Sequence, residues 1–357
     1  MPNNHVDDRF AHIREAMREV KAVFGATEHP AITMYEDAPC YPLNELVELS
    51  RLGNEIQFCR DAARRKELIA AFAVKRDSIK KKPDAPARIY LWPEGKIPTL
   101  TNYTDNSDYT YNHDPDFKPY MYEVLLPKDV TPKGAVLVCA GGDHGSCTLY
   151  EGYQVCLDMN AMGYQAFLLN NRPNHNPWSA QECGVDAARA LRYIRSRAAD
   201  YRIDKKNVAF AGFSNGGVTG EACIRYYSGT QNVKDHFPDY EPDYLDEYYG
   251  APDAFLCVYG PRFADADFDY TGVVYPPTFF AVGRKDSAMD NLHPTYYDLI
   301  AHGVDVEVHT FAGTPHGKAG IKLIDGEVKY PNFELWLPLA DSFMQDVYHP
   351  AESSSPF

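Results

Sequence analysis

Val208-Ala209-Phe210-Ala211-Gly212-Phe213-Ser214-Asn215-Gly216-Gly217 is the stretch on which the reading of the chain turns. A run of small and apolar residues suits a strand buried on both faces of a sheet, and the segment behind it, 216–227, has helical spacing. Between the two, Gly212 and Gly216 stand two residues either side of Ser214. Glycines there permit the sharp, strained turn that lifts a serine hydroxyl above a sheet, and the helix N-terminus behind it favours developing negative charge. A glycine-rich turn could show the same spacing without chemistry. The strand before and the helix after point instead to a serine nucleophile.

A serine hydroxyl attacks poorly unless an imidazole removes its proton, and the imidazole needs a carboxylate to fix its tautomer. In this context the acid is expected downstream and the histidine after it. Thr278-Phe279-Phe280-Ala281-Val282-Gly283 reads as a strand and Arg284-Lys285-Asp286 as the loop leaving it. The next strand ends at Phe311 and runs into Ala312-Gly313-Thr314-Pro315-His316-Gly317. Ser214, Asp286 and His316 are therefore the predicted catalytic residues, each at the carboxyl end of a parallel strand. Asp290 competes with Asp286 but lies four residues further on, in a predicted helix. Of the 12 histidines, His309 falls inside a strand and His302 at a helix end, so His316 alone has the expected small-residue turn.

An oxyanion needs two backbone N–H donors. One is expected from Asn215, directly after the serine. The other should come from the loop Cys139-Ala140-Gly141-Gly142-Asp143-His144-Gly145, at Gly142 and Asp143. Asp143 and His144 could also be read as a metal pair, but no further ligands stand at metal spacing, so no metal and no cofactor is expected. The eight cysteines contain no C-x-x-C pair, which argues against structural zinc and a redox dithiol and for small buried apolar side chains.

Around this core, segments 134–139, 165–170, 207–213, 254–259, 278–282 and 304–311 read as strands, after shorter β-type runs at 88–92 and 120–126. They alternate with helical patterns at 152–162, 180–199, 216–227 and 294–302. This rhythm implies an α/β fold with a mainly parallel sheet covered on both faces. Upstream, Phe10, Ile13, Met17, Val20 and Phe24 mark an amphipathic helix over 8–24, and 43–82 reads as further helix, stopped by Pro83 and Pro86. With 357 residues the chain exceeds the size of a usual single core. The expected division is a helical extension over 1–86, acting as arm or partial lid, a catalytic domain over 87–350 and a flexible tail over 351–357. The N-terminal helices could also serve as a homodimer contact.

With 35 basic and 50 acidic residues the formal charge is −15, which disfavours nucleic acid and anionic membrane surfaces as partners. No apolar run is long enough to span a bilayer and no secretory pattern opens the chain, so a cytoplasmic enzyme acting on a small-molecule ester is the expectation.

These motifs together resemble the α/β-hydrolase carboxylesterases of the acetylxylan esterase and bifunctional feruloyl esterase type. The likeness runs over about 88–347 through Leu91-Trp92-Pro93-Glu94-Gly95, Val136-Leu137-Val138-Cys139-Ala140-Gly141-Gly142, Glu151-Gly152, Leu168-Leu169-Asn170-Asn171-Arg172, the serine turn, Gly283-Arg284-Lys285-Asp286 and Phe311 to Gly317. It implies a serine esterase of a small, polar, carbohydrate-derived substrate, with acetyl the expected acyl group. Amide hydrolysis on the same triad and a non-catalytic relic are the alternatives. At the oxyanion loop the family's Pro-Gly-Gly-Gly-Tyr is replaced by Ala140-Gly141-Gly142-Asp143-His144. A carboxylate facing the acyl group would restrict that pocket to small neutral groups, whereas one turned outward would only cap a turn or pair with His144. The tyrosine-rich acidic insertion 236–249 is expected to pass near the site, where Tyr244, with Tyr150, Trp178, His144 and His175, would line a sugar-binding pocket.

Overall fold

The computed structural model describes residues 11–24, 32–99, 117–142, 148–172, 180–261, 268–320 and 329–350. Its centre is an eight-stranded sheet of β1 (Ile89–Tyr90), β2 (Tyr120–Val124), β3 (Ala135–Cys139), β4 (Gln165–Asn170), β5 (Val208–Phe213), β6 (Ala254–Val258), β7 (Thr278–Gly283) and β8 (Val306–Phe311). They lie in the order β1-β2-β4-β3-β5-β6-β7-β8. Every pairing from β4 to β8 is parallel, while β2 runs antiparallel to β4 and β1 antiparallel to β2. Strands β3 to β7 are buried at every position, as expected of strands covered on both faces. The edge strand β8 is only partly buried, and its His309 pairs with Glu307 of the same strand at 2.6 Å.

Among the described residues, the longer α-helices that accompany the sheet are α5 (Val155–Ala161), α6 (Ala180–Ser196), α8 (Asn215–Tyr227), α10 (Met289–Ala301) and α11 (Trp336–Tyr348). The short α7 (Ala198–Tyr201) and α9 (Val233–His236) fall between them. Behind β4, Arg172 is fully buried and makes a bidentate pair with Asp186 of α6 at 2.9 Å, and Asp186 also accepts from the Trp92 indole at 2.9 Å. Asp186 accepts as well from Arg172's own backbone N–H, at 3.0 Å. Two buried charges so completely hydrogen-bonded are tolerable, whereas either alone would be costly.

Upstream lie α1 (Ala11–Phe24), α2 (Ile32–Glu36), α3 (Leu43–Phe58) and α4 (Ala62–Ser78). The helix predicted over 43–82 is thus two helices, broken at Cys59 to Asp61, because Asp61 caps α4 by accepting from the Arg64 N–H at 2.9 Å. The break folds α4 back, so that Leu46, Leu49 and Ile56 of α3 share a core with Leu68, Ile69 and Phe72 of α4 and Val20 of α1. This second core also takes in Leu149, from beyond β3. Asp37 fixes the group to the sheet edge, accepting from Arg88 at 2.8 Å and from the β2 hydroxyl of Tyr122 at 2.7 Å.

Other boundaries also differ from the sequence reading, and the helix predicted over 180–199 is broken at Arg197. The helix predicted over 152–162 opens earlier, as a π-helix over Thr148–Gln154 that passes into α5. The helix predicted from Pro294 begins at Met289 and carries Pro294 inside it.

Candidate active site

At the carboxyl end of β5 the backbone of Ser214 takes φ +50° and ψ −119°, a strained conformation for a residue with a side chain. Close packing dictates the glycines around it: a Cβ on Gly216 would stand 2.1 Å from the Cys139 carbonyl oxygen, and one on Gly212 2.4 Å from that of Gly216. The strain is held by the helix behind and by the Ser214 N–H donating to Val258 of β6 at 3.0 Å. The hydroxyl is thereby presented beyond the strand ends, where the loops after β7 and β8 arrive.

His316 follows β8 and meets Ser214 with Nε2 at 2.8 Å from Oγ. Its Nδ1 lies 2.8 Å from Oδ2 of Asp286, in the loop after β7. With the proton on Nδ1 donated to the carboxylate, Nε2 is left as the acceptor for the serine hydroxyl. Asp286 is buried and its other oxygen accepts from the Ala288 N–H at 2.9 Å. Burial pulls the His316 pKa down, but the hydrogen bond to Asp286 and that carboxylate's charge, reinforced by the charge of Glu151, outweigh both burial and the nearby Lys318, and the net shift is upward. A protonated imidazole at this position is thus stabilised by the two carboxylates.

The three predicted residues therefore come together in one hydrogen-bonded series. Asp290 does not join it: it is exposed and lines a cavity of about 420 Å³ together with Ser214, His316, Val218, Tyr259 and Asn291. Asn215 begins α8 and lines the same cavity. Gly142 has φ +59°, and Gly141 beside it packs so tightly on Ser214 that a Cβ would come within 2.7 Å of the serine Cβ. Asp143, His144, His175 and Trp178 lie outside the described residues.

Tyr150 is half-buried and packs with the N-terminal core rather than lining this cavity. Tyr244 is exposed, and its segment follows α6 because Arg189 and Arg192 of that helix bind Asp243 and Asp246. The insertion predicted to border the site is thus drawn to α6 by its acidic residues. Among the described residues no group of three or more histidines, cysteines or carboxylates could hold a metal, and no helix is long and apolar enough to cross a membrane.

Two residues at the site carried no catalytic signal of their own in the sequence. Tyr259, at the carboxyl end of β6, has φ +40° and places its ring 5.0 Å from that of His316, edge to face. Its hydroxyl donates to Oε1 of Glu151 at 2.9 Å and accepts from the Ala319 N–H at 3.2 Å. Glu151, in the π-helix, is buried, and its Oε2 accepts from the Gly141 N–H at 2.9 Å. Glu151 was visible in the sequence only as part of a family motif.

An acetyl ester-xyloside bifunctional hydrolase from Caldicellulosiruptor lactoaceticus superposes with a TM-score of 0.54 at 22% identity, covering 74% of this chain and 97% of that one. The chain has the α/β-hydrolase fold. A second α/β-hydrolase neighbour, the propionate-bound esterase Est2 from Thermogutta terrifontis, gives a TM-score of 0.52 at 16% identity over 75% of this chain and 97% of its own. In sequence, the chain is 29% identical over 196 residues to endo-1,4-beta-xylanase B from Butyrivibrio fibrisolvens, a match covering 52% of this chain. The chain spans under a third, 29%, of that relative's length. No family model matches it.

Proposed function

We propose that this protein is a serine carboxylic ester hydrolase that removes short acyl groups, acetyl foremost, from a carbohydrate-derived or other small polar substrate. The observation that carries the reading is the unbroken series Ser214–His316–Asp286, with both contacts at 2.8 Å and the acid buried. His316 takes the Ser214 proton as Oγ attacks the ester carbonyl, and Asp286 holds the imidazole in the required tautomer and offsets its positive charge. The N–H of Asn215 and those of the loop at Gly142 and Asp143 receive the tetrahedral oxyanion. His316 then protonates the leaving alcohol, and a water activated by the same imidazole releases the acid from the acyl-enzyme.

A small acyl group suits a cavity of about 420 Å³ walled partly by Val218 and Tyr259. The polar side of that cavity, with Asn291 and Asp290, suits an alcohol rich in hydroxyls. Likeness to an acetyl ester-xyloside hydrolase, an esterase and a xylanase supports a carbohydrate-linked ester as substrate.

Ser214→Ala and His316→Ala are each expected to lower kcat on p-nitrophenyl acetate by on the order of 10³ to 10⁶, with far-ultraviolet circular dichroism unchanged. Retention of more than about a tenth of wild-type kcat by either variant contradicts the assignment. Parallel assays on acetylated and feruloylated xylo-oligosaccharides, and on a matched anilide, test the acyl group and the ester preference.

A further inference from the structure

We propose that Glu151 is a positioning residue of the esterase, a buried carboxylate that locks the oxyanion loop and the histidine loop to one another. The inference rests on the serine esterase reading and extends it to a residue outside the triad.

Glu151 is only 1% exposed and receives a donor on each of its oxygens. Oε2 takes the Gly141 N–H, from the loop after β3, and Oε1 takes the Tyr259 hydroxyl, from the end of β6. The Tyr259 oxygen in turn accepts from Ala319, three residues beyond His316, and the tyrosine ring stands edge-on to the imidazole. The chain of contacts thus runs from Gly141 through Glu151 and Tyr259 to the His316 loop. The carboxylate also lies against that loop directly: a Cβ on Gly317 would be 3.8 Å from Oε1.

Two consequences follow. By accepting from the Gly141 N–H, Glu151 fixes the orientation of the Ala140–Gly141 peptide, at the root of the loop that the esterase reading uses for the oxyanion. By standing near His316, its charge adds to that of Asp286 in favouring the imidazolium, against Lys318. The other charged group bordering the imidazole's cavity, Asp290, is exposed to solvent and screened.

Gly141 and Tyr259 each donate to the carboxylate, so an acceptor is needed at each oxygen. Glutamine, nearly identical in shape, would place its NH₂ against one of those donors. It also removes the charge.

The test compares wild-type protein with Glu151→Gln and Tyr259→Phe, using p-nitrophenyl acetate hydrolysis from about pH 4 to pH 9 and ¹H–¹⁵N spectroscopy of the His316 ring. Neutral His316 is the active base, so kcat/KM rises as pH passes its pKa. Loss of the Glu151 charge favours the neutral ring, and the rising limb should move to lower pH in Glu151→Gln. The same variant should lose roughly ten- to a hundredfold in kcat with KM changed less than about threefold, since orientation of the oxyanion donors matters mainly in the transition state. Tyr259→Phe keeps the Glu151 charge and removes the hydroxyl's bonds to both Glu151 and Ala319; it should lower kcat by several-fold and leave the limb in place. A Glu151→Gln enzyme with kcat within twofold of wild type, or with an unmoved His316 titration, overturns the proposal. If Glu151→Gln fails to fold, an unchanged kcat in Tyr259→Phe overturns it equally. A Ser214→Ala protein as active as wild type would instead sink the esterase reading, and the ring titration still reports the charge effect in that event.

Discussion

Asp286 and Asp290 stand four residues apart on the same loop and helix start, and only their surroundings separate them. Asp286 is 5% exposed, bonded to the imidazole at 2.8 Å and to the Ala288 N–H at 2.9 Å; Asp290 is exposed at the cavity mouth. Only the carboxylate that touches Nδ1 can set the tautomer, so Asp286→Asn is expected to lower kcat by roughly 10⁴ while Asp290→Asn stays within a few-fold on a simple acetyl ester. The reverse ranking in steady-state assays would transfer the role to Asp290. Ser214 and His316 were legible in the sequence because a strained turn and a small-residue loop are local demands, written within a few residues. The linkage of Glu151 to Tyr259 was not, because it joins residues 108 apart in sequence, and neither side chain has a local signature.

At the scale of elements, the central strands were readable because burial on both faces leaves runs such as Ala135–Cys139 without polar interruption. Where elements depend on single side chains the reading failed. The Asp61 cap that divides α3 from α4 hides inside a stretch of good helix formers, and the arginines of α6 that capture the acidic insertion lie some 50 residues away from it. Arg172 and Asp186 show how much such a pair can hold: they join the end of β4 to α6 with no exposure of either side chain. Asp186→Ala would leave the guanidinium buried without its counter-charge, and a loss of about 3 to 5 kcal/mol in urea unfolding is expected. Asp186→Asn, which can still accept hydrogen bonds, should cost less. A loss below about 1 kcal/mol for the alanine variant would mean that water or the Thr99 carbonyl, already 2.8 Å from the guanidinium, compensates the charge.

For the molecule as a whole, the formal charge of −15 sets a repulsive field for anionic substrates, and Asp290 places part of that charge at the cavity. Screening shortens the reach of such a field from about 30 Å at 0.01 M salt to about 10 Å at 0.1 M. For two esters of one alcohol, acetyl and succinyl, kcat/KM should therefore respond differently to salt. The neutral acetyl ester should be nearly indifferent, and the anionic succinyl ester should gain about two- to tenfold between 0.01 and 0.3 M. Local charge could in principle outweigh the net field, because Arg284 and Lys285 are exposed in the loop that carries Asp286, and Lys318 follows His316 by two residues. In that event the succinyl ester would lose rate as salt rises. The sign of the slope thus decides whether the acidic surface or the three basic residues near the triad govern the approach of a charged substrate, and Lys318→Gln should steepen the gain if the acidic field prevails.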